Sequence, residues 1–174
     1  MSQRVQTRSI AADILYNAPD PFARKVILYR GAQQGVEAGL IGVDARGGIG
    51  QVTRVHPVQS EVTLLTDRNQ SVPVSVVRSG VRGVLYGIGR SMLEMRHVLA
   101  DVDVQPGDLL VTSGLDGVFV PGLPVARITR VDREAGAFAR IDCEPLAAIE
   151  RSVQVLVVGR ASYPPPPPDA AGGR

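Results

Sequence analysis

Tryptophan is absent from these 174 residues, cysteine and lysine occur once each, as Cys143 and Lys25, and histidine twice, as His56 and His97. One cysteine excludes an intrachain disulfide and any metal site built on thiolates. Its setting, Phe138-Ala139-Arg140-Ile141-Asp142-Cys143, reads as a strand with a buried, inert thiol. Neither histidine has carboxylates at ligand spacing, so no metal is expected. Aromatic residues make up 4% of the chain, which leaves Val, Leu and Ile to fill the core and biases it toward β structure. Most of the aromatics that do occur sit in apolar contexts that suggest core, and single-strand nucleic-acid binding needs aromatic faces for base stacking. Like charges never cluster: eighteen arginines are interspersed with acidic residues and the formal charge is +2. No polyanion-binding stripe is therefore expected. No run approaches the roughly 18 apolar residues of a membrane span, and no signal-peptide core opens the chain. Met1-Ser2-Gln3-Arg4 leads abruptly into strand-like sequence, as in an excerpt of a longer protein.

Short β-branched runs bounded by Gly, Pro, Asp, Asn or Ser fill the rest. Candidate strands in the first half are Ile10–Tyr16, Val26–Tyr29, Leu40–Val43, Gly48–Val55, Glu61–Thr66 and Val72–Val77. Those in the second are Gly83–Ile88, Met92–Arg96, Leu109–Thr112, Ala126–Val131, Phe138–Cys143 and Val153–Val158. Pro73 marks an edge or a strand start. No sustained 3.6-residue apolar period appears, and the one helical hint is Pro145–Ile149. The expected fold is all-β: two small six-stranded barrels in tandem, over residues 8–80 and 81–150. The strand at 153–158 is free by sequence to complete the first barrel instead. Residues 160–174, with Pro164–Pro168, read as a disordered proline-rich tail.

The stretch Val104–Gly122, VQPGDLLVTSGLDGVFVPG, belongs to an internal repeat. Val36-Glu37-Ala38-Gly39 matches Val104-Gln105-Pro106-Gly107, and Val52-Thr53-Arg54-Val55 matches Ile128-Thr129-Arg130-Val131. The second copy carries eight extra residues, around Ser113–Gly122.

Tandem barrels raise the chymotrypsin-like serine protease as an alternative, because His56, Asp67 and Ser113 keep the His-Asp-Ser order. Ser113, however, lies in Val-Thr-Ser-Gly-Leu, without the Gly-Asp-Ser-Gly oxyanion loop, and His56 precedes Pro57 at a corner. Gly47-Gly48 and Gly87-Ile88-Gly89-Arg90 precede no amphipathic helix, so they are turns or bulges and not phosphate cradles. Asp101 and Asp103 alternate with valines on a solvated face. No catalytic residue and no cofactor are expected. A β-barrel nucleic-acid module is the second alternative, since the sequence pI near 9.0 permits it.

The turns, taken in series, resemble the MreC family of bacterial cell-shape proteins. The matching pieces are Gly35-Val36 with Gly39, Gly47-Gly48-Ile49-Gly50-Gln51-Val52, Leu64-Leu65-Thr66-Asp67, Val72-Pro73-Val74 and Arg82-Gly83-Val84-Leu85 with Gly87. Gly107-Asp108, Val111-Thr112-Ser113-Gly114, Gly117-Val118-Phe119 and Gly122-Leu123-Pro124-Val125 complete the order. Asp116 stands where the family commonly has Gly, and Val120-Pro121 replaces a Pro followed by a variable residue. The resemblance implies a non-enzymatic periplasmic region that, in the intact protein, follows a membrane helix and a dimerising coiled coil. It implies binding to a class B penicillin-binding transpeptidase, to MreD and to RodZ, self-association, and a link from MreB filaments to wall synthesis. Nucleic acid is not an implied partner. Gly39, Gly47, Gly48, Thr66, Asp67, Gly107, Asp108, Thr112, Ser113, Gly114, Gly117 and Gly122 are expected to be structural turn residues. The loop tip, Leu115, Asp116, Val118, Phe119, Val120 and Pro121, is the expected partner contact.

Overall fold

The computed structural model describes residues 9–17, 24–89, 92–115, 121–134, 136–147 and 154–158. Twelve strands form: β1 (Ser9–Asn17), β2 (Lys25–Leu28), β3 (Ile41–Val43), β4 (Gly48–Val55), β5 (Ser60–Leu64), β6 (Ser71–Val76), β7 (Arg82–Gly87), β8 (Leu93–Arg96), β9 (Leu109–Thr112), β10 (Pro124–Asp132), β11 (Arg140–Pro145) and β12 (Gln154–Val158). One 3-10 turn, Ala32–Gln34, is the helical element among the described residues. Each strand coincides with one of the short β-branched runs. The turn expected at Pro145–Ile149 is not helical in its described part: Pro145 ends β11 and Leu146-Ala147 bend. That bend carries the chain back toward the first barrel, where Ala147 is buried.

All strand pairs are antiparallel and close two barrels, in the order β1-β12-β3-β4-β5-β2 and the order β9-β10-β11-β8-β7-β6. Aligned on the repeat, β3, β4 and β5 correspond to β9, β10 and β11, and β1 and β2 to β7 and β8. The sixth positions are then β12 in the first barrel and β6 in the second. Read along the chain, each six-strand unit sends its last strand to the other barrel.

This corrects the expected boundary at residue 80, because the chain leaves the first barrel between Leu64 and Ser71. The physical reason is that β6 and β12 carry the same alternation. Val72, Val74 and Val76 point into one core, and Val155 and Val157 into the other, so either strand suits either slot. The turn after β5 carries the chain from the first barrel to the second. The Asp67 amide donates to the Leu64 carbonyl, and the Asp67 carboxylate accepts from the amides of Arg24 and Asn69 at 2.9 and 2.8 Å.

Pro73 is likewise not at an edge, since β6 lies between β7 and β9. The Ser113 amide donates to the Pro73 carbonyl, and the reciprocal bond cannot form without a proline N–H. The β6–β9 ladder accordingly starts at Val74.

The first barrel is filled by Val26, Leu28, Ile49, Val52, Val62, Val155 and Val157. The second barrel's cluster includes Leu85, Leu93, Met95, Leu110, Ile128 and Ile141, and it reaches across the seam to Ile41, with Val43 and Val158 packed against it. The two barrels therefore share apolar contact as well as strands.

Candidate functional site

Gly39 and Gly107 hold the corner before β3 and β9 with φ of +96° and +94°, a conformation that favours glycine. At each corner the glycine amide donates to the facing strand, Gly39 to Val52 at 2.8 Å and Gly107 to Ile128 at 2.7 Å. Val52 and Ile128 donate back to Leu40 and Asp108. A bulge follows in both copies, between Val52 and Arg54 and between Ile128 and Arg130. The threonines in these bulges, Thr53 and Thr129, donate to the carbonyls of Glu61 and Asp142. The matched sequence pieces are thus matched hydrogen-bond corners, and the repeat is structural.

Gly47 and Gly48 do more than turn. A Cβ on Gly47 would lie 2.5 Å from the Pro124 carbonyl oxygen, and one on Gly48 3.2 Å from Leu123 Cδ2 and 3.3 Å from Val125 Cγ1. These glycines form the seam, where β4 meets β10 too closely for side chains. Thr66 and Asp67, both buried, form the crossover, where Arg24 Nε donates to Thr66 Oγ1 at 3.2 Å. Gly89 donates its amide to the Thr66 carbonyl from the second barrel.

The elaborated loop has a pinned stem. The Thr112 amide donates to the Leu123 carbonyl, and the amides of Gly122 and Leu123 donate to the carbonyl and Oγ1 of Thr112 at 2.8 and 2.9 Å. Ser113 Oγ accepts from the Leu115 amide, and Pro121 packs on Gly114, whose φ is +76°. Leu115 projects from the stem with 65% of its surface exposed, and Pro121 is exposed as well. Asp116, Gly117, Val118, Phe119 and Val120 lie outside the described residues, as does the proline-rich tail.

The protease alternative finds no geometry. The Asp67 carboxylate is taken by two backbone amides, Ser113 Oγ by Leu115, and His56 bonds to neither residue. Cys143 is buried, and burial pushes its thiol up to about 12, which leaves it protonated and unreactive. Among the described residues no three His, Cys, Asp or Glu side chains converge on a metal position. No described helix is long and apolar enough to cross a membrane.

Two anchors escaped sequence reasoning. Arg78 forks onto Asp108, Nε to Oδ1 at 2.8 Å and Nη2 to Oδ2 at 2.9 Å, and reaches Asp103 at 2.9 Å. Its guanidinium holds both carboxyls below their ordinary range, and the Gln105 amide adds to the effect at Asp108. Asp103 is thus paired and not merely solvated. Arg133 donates to the carbonyls of Ala100, Val102 and Val104 at 2.6, 2.9 and 2.6 Å. Together they clamp the loop from β8 to β9. Of the few aromatics, Tyr29 and Phe138 lie on the surface, 50% and 55% exposed.

The fold as a whole has counterparts in known proteins. The family described as "Rod shape-determining protein MreC, barrel core" matches residues 14–159. The chain belongs to the MreC family. It is 38% identical over 149 residues to the cell shape-determining protein MreC of Haemophilus influenzae, covering 84% of this chain and 42% of that protein, so it spans less than half the relative's length. A crystal structure of MreC from Pseudomonas aeruginosa superposes with a TM-score of 0.85 at 38% identity, over 87% of this chain and 99% of that one. The MreC of a complex between penicillin-binding protein PBP2 and MreC from Helicobacter pylori shares the fold, with a TM-score of 0.66 at 16% identity over 87% and 98% of the two chains. MreC proteins determine cell shape and are not enzymes.

Proposed function

We propose that this chain is the periplasmic scaffold region of a membrane-anchored cell-elongation protein, and that it binds a class B penicillin-binding transpeptidase and favours its active conformation. Such an effect requires tighter binding to one conformer than to the other. In the intact protein the scaffold would also meet MreD and RodZ, self-associate, and couple wall synthesis to MreB. The observation that carries the reading is the capture of a protein of the same fold with a penicillin-binding protein. The loop displayed from the Thr112–Leu123 stem, with Leu115 at its exposed start, is the proposed contact.

The test is turnover by the matching transpeptidase ectodomain, measured with increasing amounts of the purified chain, beside a direct binding titration. Saturable binding with raised turnover supports the scaffold, and Leu115→Asp should weaken both. No association with the ectodomain would sink it.

A further inference from the structure

Closed barrels have no free strand edge, so a partner cannot extend either sheet and must use surface side chains or a cleft. The seam between the barrels holds such a cleft, with a volume of about 640 Å³. Leu109, Pro124 and Leu146 line it, together with Arg46 from the first barrel and Arg127 and Glu144 from the second. The turn between β3 and β4 fixes the backbone of Arg46: the Asp44 carboxylate accepts from the Arg46 and Gly47 amides at 2.8 and 3.0 Å. Arg127 sits on β10 between its partners Leu109 on β9 and Glu144 on β11.

Both arginines are exposed. Among the described residues neither guanidinium enters an ion pair, whereas Arg78, Arg96 and Arg140 all do. The cleft therefore offers two uncommitted cations against one carboxylate, around apolar side chains.

We propose that this cleft receives a segment of the partner transpeptidase in which carboxylates flank apolar side chains. The proposal rests on the scaffold reading above and adds a surface and a chemistry to it. Unpaired guanidiniums select carboxylates in fork geometry, and the apolar lining accepts aliphatic side chains. A sugar–phosphate strand would leave that lining uncovered, and no aromatic side chain is there to stack on its bases. Because the two arginines come from different barrels, the segment would read the relative placement of both.

The experiment titrates labelled transpeptidase ectodomain with the wild-type chain, Arg46→Glu, Arg127→Glu and the double variant, with melting temperatures recorded in parallel. Each single change should weaken binding about tenfold and the double change more, since a repulsive charge replaces an attractive one. Added salt should weaken wild-type binding and leave the residual binding of the double variant nearly constant. The melting temperature of Arg46→Glu should not move, because that side chain is exposed, whereas Arg127→Glu faces Glu144 across the ladder and should melt slightly lower while remaining folded. Wild-type affinity retained by the double variant would overturn the cleft and leave the scaffold reading standing. Absence of wild-type binding would overturn both.

Discussion

Gly39 and Gly107 isolate a single physical quantity, the cost of a left-handed backbone. Neither would place a Cβ within 4 Å of any atom, so substitution there meets strain and not crowding. Gly39→Ala and Gly107→Ala should each lower unfolding free energy by about 1–2 kcal/mol, seen by urea denaturation. Gly107→Val should cost more because a β-branched side chain tolerates positive φ poorly, with transpeptidase binding by the folded fraction unchanged. An unaltered midpoint for Gly107→Val would contradict the geometry. Asp108 supplies a second residue-scale expectation. Arg78 depresses the folded-state pKa of Asp108, so the pair contributes stability above the unfolded carboxylate value of about 3.9, and that stability is lost as pH falls through the folded value. The urea midpoint of the wild type should fall on acidification through this window. Asp108→Asn should start lower at neutral pH and lose less on acidification. Parallel curves for the two proteins would remove Arg78 as the cause.

The two barrels meet closely where β4 passes β10, and Gly47→Ala tests that contact. Its Cβ would overlap the Pro124 carbonyl, so the seam must open, at roughly 1–3 kcal/mol. Gly80→Ala, a control with open space but positive φ, should show strain without any change at the seam. Chemical shifts of Leu123 and Val125 distinguish the two. This contact also shows what sequence could reveal. Strands were legible because short β-branched runs end at residues that cannot continue them, and the corners because glycine recurs at matched offsets. The role of Gly47 and Gly48 was not legible, since glycine announces a missing side chain but not what fills the space. Arg78 and Arg133 were invisible for another reason: their partners lie 25–33 residues away and no local pattern marks them. Sequence leaves the route of β12 open and puts β6 in the wrong barrel, because their alternating valines suit either barrel. Within the candidate contact, sequence picked out the stem residues Thr112 and Gly122 as turn chemistry, while Arg46 and Arg127 come together only across the seam.

At the scale of the whole molecule, strand exchange makes each barrel depend on the other half of the chain. A β12 that withdrew would open one edge each on β1 and β3, and a β6 that withdrew would do the same to β7 and β9. The shared apolar seam of Ile41, Val43 and Val158 against the second core adds to this coupling. A scaffold gains from such an arrangement, because faces on two barrels keep one relative geometry while a partner is held. Native-state hydrogen exchange tests it most directly, by comparing the slowest amides of the first barrel, such as Val26 and Val62, with those of the second, such as Leu85 and Ile141. One coupled unit predicts the same opening free energy for both sets and the same shift in both when Val157→Ala weakens β12, by on the order of 2 kcal/mol. A first barrel that opens at lower free energy, or a Val157→Ala effect confined to it, would contradict the exchange-locked scaffold.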